Sequence, residues 1–316
     1  MGIGQRRGRR AALMAAVALA AVFALAACGA RGGGGGGGGA TLTIGSANFT
    51  ESELIARMYA HALQNAGHKT TVKAQIGSRE VYIKSLQNNE IQIVPEYVGT
   101  VTEYFNAQIN GPNAPTSAPL ATPDAAATDQ ALNTLIGSLG LTATDPSPAA
   151  DQNAFAVTAD FASKNGLASL ADLVKLNGTL VLGGPPECPT RPFCQPGLEQ
   201  AYGLRFAAFK PTDSGGPVTF GALADGTIQL GLVFSSDGSV VADNLKILTD
   251  DKHLQQADNI VGLMRQSVPA DAQAVINRVN AALTTADLQQ LNMQMTVNKD
   301  EPDALAAQWV KDHIKN

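Results

Sequence analysis

The sequence is poor in aromatic residues and in cysteine, and it has no excess of basic charge. Aromatic residues make up 5% of the 316 residues, the chain contains three cysteines, and its formal net charge is −5. Because non-specific nucleic-acid binding needs a basic surface, this charge excludes such binding as the main role. The apolar fraction of 45% excludes a wholly disordered chain. A chain of this length can bury a sizeable core, so folding requires neither a metal nor a disulfide.

The usual catalytic and cofactor motifs are absent. No HExxH, GxSxG, P-loop or GxGxxG string occurs, and we predict no catalytic residue, cofactor or metal site. The string Thr212–Pro217 looks like the nucleophile loop of chymotrypsin-like proteases, which would make Ser214 a nucleophile. Such an enzyme needs a histidine base and an aspartate on an all-β scaffold. The four histidines lack that context, so we predict a turn before a helix. A secreted hydrolase using Ser214 remains the less favoured function.

The N-terminus has the pattern of a secretory signal. Basic residues cluster at 6–10, an apolar run covers Ala11–Ala27, and the run ends in Leu-Ala-Ala-Cys at 25–28. The run is slightly short for a comfortable bilayer span, which takes about 20 residues. The string Leu-Ala-Ala-Cys resembles the lipobox of bacterial lipoproteins, which implies that Cys28 is diacylated and becomes the new N-terminus. Export by the general or the twin-arginine route and a transmembrane helix with a buried cysteine stay open.

A glycine tract separates this signal from the rest of the chain. Gly32–Gly39 are eight consecutive glycines, which cannot bury apolar surface and form a flexible tether. We therefore predict a signal peptide at 1–27 and a lipid-anchored tether at 28–40. Removing the signal leaves an acidic body that anionic lipid does not attract, so the lipid on Cys28 has to hold it. The predicted location is the outer face of the cytoplasmic membrane.

The two remaining cysteines lie six positions apart in a proline-rich loop. In an oxidising compartment we expect Cys188 and Cys194 to form a disulfide. A zinc site would need two further ligands at suitable spacing, and none lies nearby.

The body alternates between strand and helix patterns. Thr50 with Glu53, and Thr100 with Glu103, each match a capping box that opens a helix, and Asp129–Leu139 is a further predicted helix. Residues 111–130 have the composition of a surface loop. Such a β-α order implies a parallel, doubly wound sheet. The first-half strands are predicted at Thr41–Ile44, Thr70–Ile76 and Ile91–Pro95, and the second-half strands at Ala154–Thr158, Thr179–Leu182, Ile228–Phe234 and Leu245–Leu248.

These patterns predict an α/β fold with two lobes. The predicted helices at 270–283, 285–294 and 302–314 return the chain to the first lobe, so lobe I covers 41–150 plus 251–316 and lobe II covers 151–250. Ligands of open α/β sheets bind beyond the carboxyl ends of the strands. That rule indicates the turns Ser46–Phe49 and Tyr97–Thr100, each of which leads into a helix N-terminus.

Several blocks of the body resemble the substrate-binding proteins of ABC importers for glycine betaine, choline and related osmoprotectants. IGSANFTESELIARMYAHAL at 44–63 and EIQIVPEYVGT at 90–100 carry the most specific likeness. DQNAFAVT at 151–158, the stretch Arg191–Tyr202 and LTDDKH at 248–253 resemble further blocks of that family. The resemblance covers residues 41 to 316. It implies a type II periplasmic-binding-protein fold, in which two lobes joined by a hinge close over a cleft.

The resemblance also implies a ligand site, in which tyrosines surround a quaternary ammonium and polar residues hold the carboxylate. Ala47 stands where the family has a lysine, which removes a cation from the anion site. Phe155 and Phe234 each stand at a family tyrosine, and no aromatic residue lies around Ala257 and Asp258. The ligand-binding residues implied for this chain are Asn48, Tyr97, Thr100, Phe155, Arg191 and Phe234.

The leading hypothesis is therefore a lipid-anchored solute-binding protein that delivers an osmoprotectant such as glycine betaine or choline to an ABC permease and its ATPase. The departures from the family pattern leave an aromatic or polyol-like ligand open. An adhesin or scaffold without an enclosed pocket is a third possibility.

Overall fold

Two five-stranded sheets organise the protein, and a computed structural model describes residues 40–237, 240 and 243–315. The predicted signal peptide, Cys28 and nearly all of the predicted tether lie outside the described residues. The ten strands are β1 Leu42–Gly45, β2 Thr70–Lys73, β3 Ile93–Tyr97, β4 Leu141–Ala143, β5 Asn153–Thr158, β6 Val181–Gly184, β7 Ala208–Pro211, β8 Leu230–Phe234, β9 Leu245–Ile247 and β10 Ile260–Arg265.

Helices cover both sheets. Three-residue 3-10 turns occur at Gly137–Leu139 and Cys188–Thr190, and a longer one at Leu170–Leu176. The described α-helices are α1 Thr50–Asn65, α2 Arg79–Gln87, α3 Val98–Asn110, α4 Ala114–Ser117, α5 Ala125–Ile136, α6 Ala159–Asn165, α7 Gln195–Tyr202, α8 Pro217–Ala224, α9 Ala270–Ala282, α10 Thr285–Met293 and α11 Pro302–His313. Within the described ranges, none of these helices has the length and hydrophobicity needed to cross a bilayer.

The first lobe is built on the sheet of order β2-β1-β3-β10-β4. The strands β1, β2 and β3 pair in parallel, as predicted, but β10 runs antiparallel to both β3 and β4. The prediction of a parallel sheet therefore holds for β1, β2 and β3, and the antiparallel β10 departs from it. The chain enters β10 directly from the second lobe, and an antiparallel neighbour needs no crossover helix. The strands β4 and β10 were not predicted.

The second lobe is built on the sheet of order β7-β6-β8-β5-β9. Here β6 pairs in parallel with β7 and β8, whereas β5 pairs antiparallel with β8 and β9. The edge strand β7 was not predicted, and its residues are mostly exposed. The chain passes between the lobes twice, from β4 to β5 and from β9 to β10. These two crossings place the carboxyl ends of β3 and β8 on either side of one cleft.

The helix α1 buries an apolar stripe in the core of the first lobe. Its predicted apolar stripe is confirmed, because every member is buried in the core between the sheet and α9 and α11. The hydroxyl of Tyr59 on this stripe donates a 2.7 Å hydrogen bond to Oδ1 of Asn280, so the one polar group it buries is paired. The stripe consists of Leu54, Ile55, Met58, Tyr59, Ala62 and Leu63.

The two predicted capping boxes do not form. Phe49 is the N-cap of α1, and Glu53 forms a 2.7 Å ion pair with Arg57 one turn on. The Ser52 hydroxyl instead accepts the Ala47 N–H at 3.0 Å. The helix α3 begins at Val98, before Thr100. The N-cap of α3 is Tyr97, the last residue of β3, and neither Phe49 nor Tyr97 has a side chain that bonds the helix N-terminus.

The helix predicted from Asp129 begins earlier, at Ala125. The Asp124 carboxylate caps it by accepting the backbone N–H groups of Ala126 and Ala127 at 2.9 and 3.1 Å. The segment predicted as a loop at 111–130 therefore contains this start and the short helix α4.

Candidate functional site

A cavity of about 280 Å³ lies in the cleft between the two lobes. Its first-lobe wall comes from the turns that follow β1 and β3 and from the start of α2. Its second-lobe wall comes from the segment that follows β6 and from residues of β5 and β8. The structure brings five of the six predicted ligand residues to this cavity, namely Asn48, Tyr97, Thr100, Arg191 and Phe234.

The sixth predicted residue, Phe155, is not among the lining residues. It is 1% exposed and packs in the hydrophobic core of the second lobe with Leu182, Leu198 and Leu232. Asn153, two residues earlier on β5, lines the cavity instead. Phenylalanine is commonly buried, and at this position its role is packing.

Three aromatic rings form a wall across the cleft. The Phe49 ring centroid lies 6.1 Å from that of Tyr97 and 5.5 Å from that of Phe234, with interplanar angles of 30° and 28°. Tyr97 belongs to the first lobe and Phe234 to the second, so Phe49 joins the two. The sequence indicated the turn Ser46–Phe49 and, within it, Asn48, whereas the ring of Phe49 was not predicted. Tyr82, Tyr104 and Phe193 also line the cavity and were not predicted.

A buried polar network holds the ring of Tyr97. Its hydroxyl donates a 2.6 Å hydrogen bond to Oε1 of Glu51. The other oxygen of Glu51 accepts bonds from the Ser236 hydroxyl at 2.6 Å and the Asn292 amide at 2.5 Å. Burial, with the negative charges of Glu51 and Asp151, raises the pKa of Tyr97 far above its usual value. The phenol therefore stays neutral, and its hydroxyl is committed to the protein.

Thr100 is positioned by a buried ion pair that sequence analysis did not find. The Arg79 guanidinium donates to both oxygens of Glu96 at 2.8 and 2.7 Å, and Nη2 also donates to Oγ1 of Thr100 at 2.8 Å. Burial alone would lower the pKa of Arg79, but the attraction of Glu96 raises it well above the usual value. Tyr82 donates a 2.7 Å hydrogen bond to the same carboxylate. Nε and Nη2 of Arg79 are thus engaged inside the protein.

An acid lies in the stretch around Ala257 and Asp258, where the resemblance implies a last aromatic residue and the sequence has none. Asp258 lines the cavity, and its Oδ1 accepts the Thr100 N–H at 2.9 Å. Burial raises the pKa of Asp258 to about 7. Ala47, at the position of the family's lysine, is buried beside the cavity.

Arg191 lies on the loop that the two cysteines close. Cys188 and Cys194 are bonded, with a Cα–Cα distance of 5.2 Å, so the predicted disulfide is present. Nη2 of Arg191 reaches across the cleft to Glu80 in the first turn of α2, at 3.3 Å from Oε1 and 3.2 Å from Oε2. Burial opposes ionisation of Glu80, but the Arg191 charge and the Ser78 hydroxyl lower its pKa below the usual value.

Acidic groups outnumber basic groups at the cavity. The lining guanidinium groups are those of Arg79 and Arg191, and both have a carboxylate partner. Burial raises the pKa of two of the lining acids, Asp151 and Asp258, so the aromatic ring faces in this partly dehydrated cleft are the main attraction for an organic cation. The lining carboxyl groups belong to Glu80, Glu103, Asp151, Glu187 and Asp258.

The Thr212–Pro217 string forms a turn before α8, as predicted. The Asp213 carboxylate caps that helix by accepting the N–H groups of Gly216, Val218 and Thr219 at 3.0–3.1 Å. Ser214 lines the cavity, but the carboxylate of the neighbouring Asp213 is bonded to the N-terminus of α8. Three histidine side chains have partners outside the cavity, namely His61 with Asp303, His68 with Asp271 and His313 with the Trp309 carbonyl. No group of three or more metal-ligating side chains occurs within the described ranges.

Comparison with known proteins gives the family that the sequence resembles, and the match covers nearly all of the chain after the glycine tract. Residues 40–312 match the family described as the substrate binding domain of ABC-type glycine betaine transport system. The glycine betaine-binding protein YehZ of Escherichia coli K12 is 30% identical over 280 residues, which cover 85% of this chain and 89% of that protein. The carnitine transport binding protein OpuCC of Listeria monocytogenes is 23% identical over 282 residues, which cover 86% of each chain.

The fold is also found among solved structures. A structure titled as a glycine betaine/carnitine/choline ABC transporter superposes with a TM-score of 0.63 at 23% identity, and the match covers 86% of this chain and 98% of that one. The two-lobed α/β architecture is therefore that of periplasmic substrate-binding proteins.

Proposed function

The chain belongs to the family of substrate-binding domains of ABC-type glycine betaine transport systems, and from this premise we propose that it captures a small quaternary ammonium solute of the betaine, choline and carnitine class. The observation that carries the proposal is the aromatic wall, in which Phe49 lies between Tyr97 and Phe234. Each ring face that contacts a dehydrated cation contributes roughly 0.5–2 kcal/mol.

The wall also suggests how capture is coupled to closure. Tyr97 and Phe234 belong to different lobes, so a cation held against both rings favours the arrangement in which the lobes lie close together. A ligand shifts an equilibrium only by its difference in affinity for the two states. The permease would then distinguish the closed, liganded protein from the open one.

The ligand contacts that we propose follow the cavity. Tyr97, Phe49 and Phe234 would contact the ammonium group, Asn48 and Thr100 would offer polar contacts, and Arg191 would meet a carboxylate. Phe155 would support the second lobe from its core.

The membrane context completes the proposal. We propose lobes at 41–150 plus 251–316 and at 151–250, carried on the outer face of the cytoplasmic membrane by a lipid on Cys28. The partners would be an ABC permease and its ATPase. Transport with an aromatic or polyol-like ligand is the alternative within the same role, and hydrolysis at Ser214 is less favoured because Asp213 caps α8.

Thermal unfolding with a panel of solutes tests the proposal. A ligand at about 100 times its Kd adds about 2.7 kcal/mol to the free energy of unfolding, which raises the Tm of a domain this size by several degrees. We expect this rise with glycine betaine, carnitine or choline and no rise with sorbitol or phenylalanine. A rise confined to sorbitol or phenylalanine would favour the alternative ligands. No rise with any solute would contradict solute capture.

A further inference from the structure

We propose that Glu80 is a specificity-determining residue: its carboxylate occupies Arg191 across the cleft, so a ligand carboxylate has to displace it, whereas a cation without a carboxylate does not. This inference rests on the proposed function and concerns the ligand preference of the same site. The site should therefore favour choline-like cations over zwitterions such as glycine betaine.

The geometry of the pair supports competition of this kind. Nη2 of Arg191 lies almost equally far from the two oxygens of Glu80, at 3.3 and 3.2 Å. Both oxygens of Glu80 therefore share one guanidinium nitrogen, which is a donor that a bound carboxylate would also use. The pair links α2 of the first lobe to the disulfide loop of the second, so it also lies where a ligand would be enclosed.

Both partners are held in place by other contacts. The Ser78 hydroxyl donates a 2.6 Å hydrogen bond to Oε2 of Glu80. On the other side, the backbone N–H of Arg191 donates to the Cys188 carbonyl at 3.3 Å, and the Cys194 N–H donates to the Arg191 carbonyl at 3.0 Å. The disulfide closes this loop. These bonds hold the Glu80 carboxylate and the backbone that carries Arg191, so the two partners face each other across the cleft.

Arg191 is the more accessible of the two cations that line the cavity. The other lining guanidinium, that of Arg79, donates to both oxygens of Glu96 and is 8% exposed. The described lining residues include no lysine, and Ala47 stands at the lysine position of the resembling family. Arg191 is therefore the cation to which a ligand carboxylate has the readier access.

Most other acidic groups at the cavity are committed to the protein. Glu103 accepts the backbone N–H groups of Leu120 and Ala121, and Asp258 accepts that of Thr100. Glu187 lines the cavity beside the disulfide loop, but the ion pair of Arg191 in the described structure is with Glu80. Glu187 consequently provides a matched control for charge alone.

The test compares Glu80→Gln with Glu187→Gln by isothermal titration with glycine betaine and with choline in one buffer. We expect Glu80→Gln to raise the affinity for glycine betaine relative to choline by about fivefold, since removing the competing charge frees Arg191. Glu187→Gln removes the same charge from the same cavity without freeing Arg191, so it measures the general effect of charge on a cation and a zwitterion, and it should shift the ratio by less than about twofold.

A second variant separates competition from general loss of structure. Glu80→Asp keeps the charge but withdraws the carboxylate from Arg191, and it should shift the ratio in the same direction by a smaller factor. An unchanged ratio in Glu80→Gln, or an equal change in Glu187→Gln, would overturn the role of Glu80 while leaving the proposed function in place. Binding of neither solute by the folded wild-type protein would overturn both.

Discussion

The hydroxyl of Tyr97 donates a 2.6 Å hydrogen bond to the buried carboxylate of Glu51. This bond lies at the junction of the lobes, because the same carboxylate accepts a bond from Ser236 of the second lobe. The phenol therefore has two separable parts, a hydroxyl that serves the fold and a ring that faces the cavity.

Replacing Tyr97 by Phe should separate these two parts. The variant keeps the ring and leaves one carboxylate oxygen of Glu51 without its donor, so we expect it to lose about 1–3 kcal/mol of unfolding free energy. Choline affinity should change by less than about threefold, since a phenyl face still attracts a cation. Urea unfolding and calorimetric titration measure the two effects. A large loss of affinity with unchanged stability would assign the hydroxyl to the ligand instead.

Replacing Phe49 by Leu should weaken cation binding. Leucine keeps apolar volume but has no ring face, so we expect a fall in choline affinity of about 2- to 30-fold. Phe49→Tyr, which keeps the ring, is the control and should bind within about threefold of the wild type. If both variants bind as tightly as the wild-type protein, then Phe49 does not contact the cation.

The disulfide should affect both stability and ligand preference. Replacing Cys188 and Cys194 together by Ala opens a seven-residue loop, which costs about 2 kcal/mol by loop entropy. Because Arg191 lies on that loop, affinity for glycine betaine should fall more than affinity for choline. Chemical unfolding and calorimetry of the double variant measure both quantities. Equal losses for the two ligands would mean that the loop does not position Arg191.

Asp258 should make the stability depend on pH. Its folded pKa of about 7 exceeds the ordinary value of 3.8, so the folded state retains a proton that the unfolded state releases. The contribution of Asp258 to the unfolding free energy therefore falls as pH rises from about 4 to 7, by up to about 4 kcal/mol, and levels off above.

Asp258→Asn removes this dependence, and its Oδ1 can still accept the Thr100 N–H. We expect the stability of the variant relative to the wild-type protein to increase across that pH range. Urea unfolding at several pH values provides the measurement. Parallel curves for the two proteins would place the folded pKa of Asp258 near its ordinary value.

The parts of the site that sequence analysis predicted are those defined by local pattern. The turns after β1 and β3 were found because the carboxyl ends of parallel strands meet in one place. The disulfide followed from the spacing of Cys188 and Cys194 and from the predicted compartment.

The parts of the site and fold that were not predicted from the sequence depend on contacts between residues that are far apart in the chain. The pair of Glu80 and Arg191 joins residues 111 positions apart, and no local periodicity links them. The role of Phe155 was inferred from its place in a block, whereas its burial depends on the packing of the second lobe. The antiparallel direction of β10 follows from where the chain re-enters the first lobe, which its short apolar run does not encode.

The most direct measurement of the central claim is calorimetric titration of the wild-type protein with choline and with its neutral isostere, 3,3-dimethylbutan-1-ol. The two molecules share size, shape and hydroxyl group, and they differ in the positive charge. If the aromatic wall and the acidic cleft bind a cation, choline should bind at least about tenfold more tightly than the isostere. Equal affinities, or tighter binding of the isostere, would contradict recognition of a quaternary ammonium in this cavity.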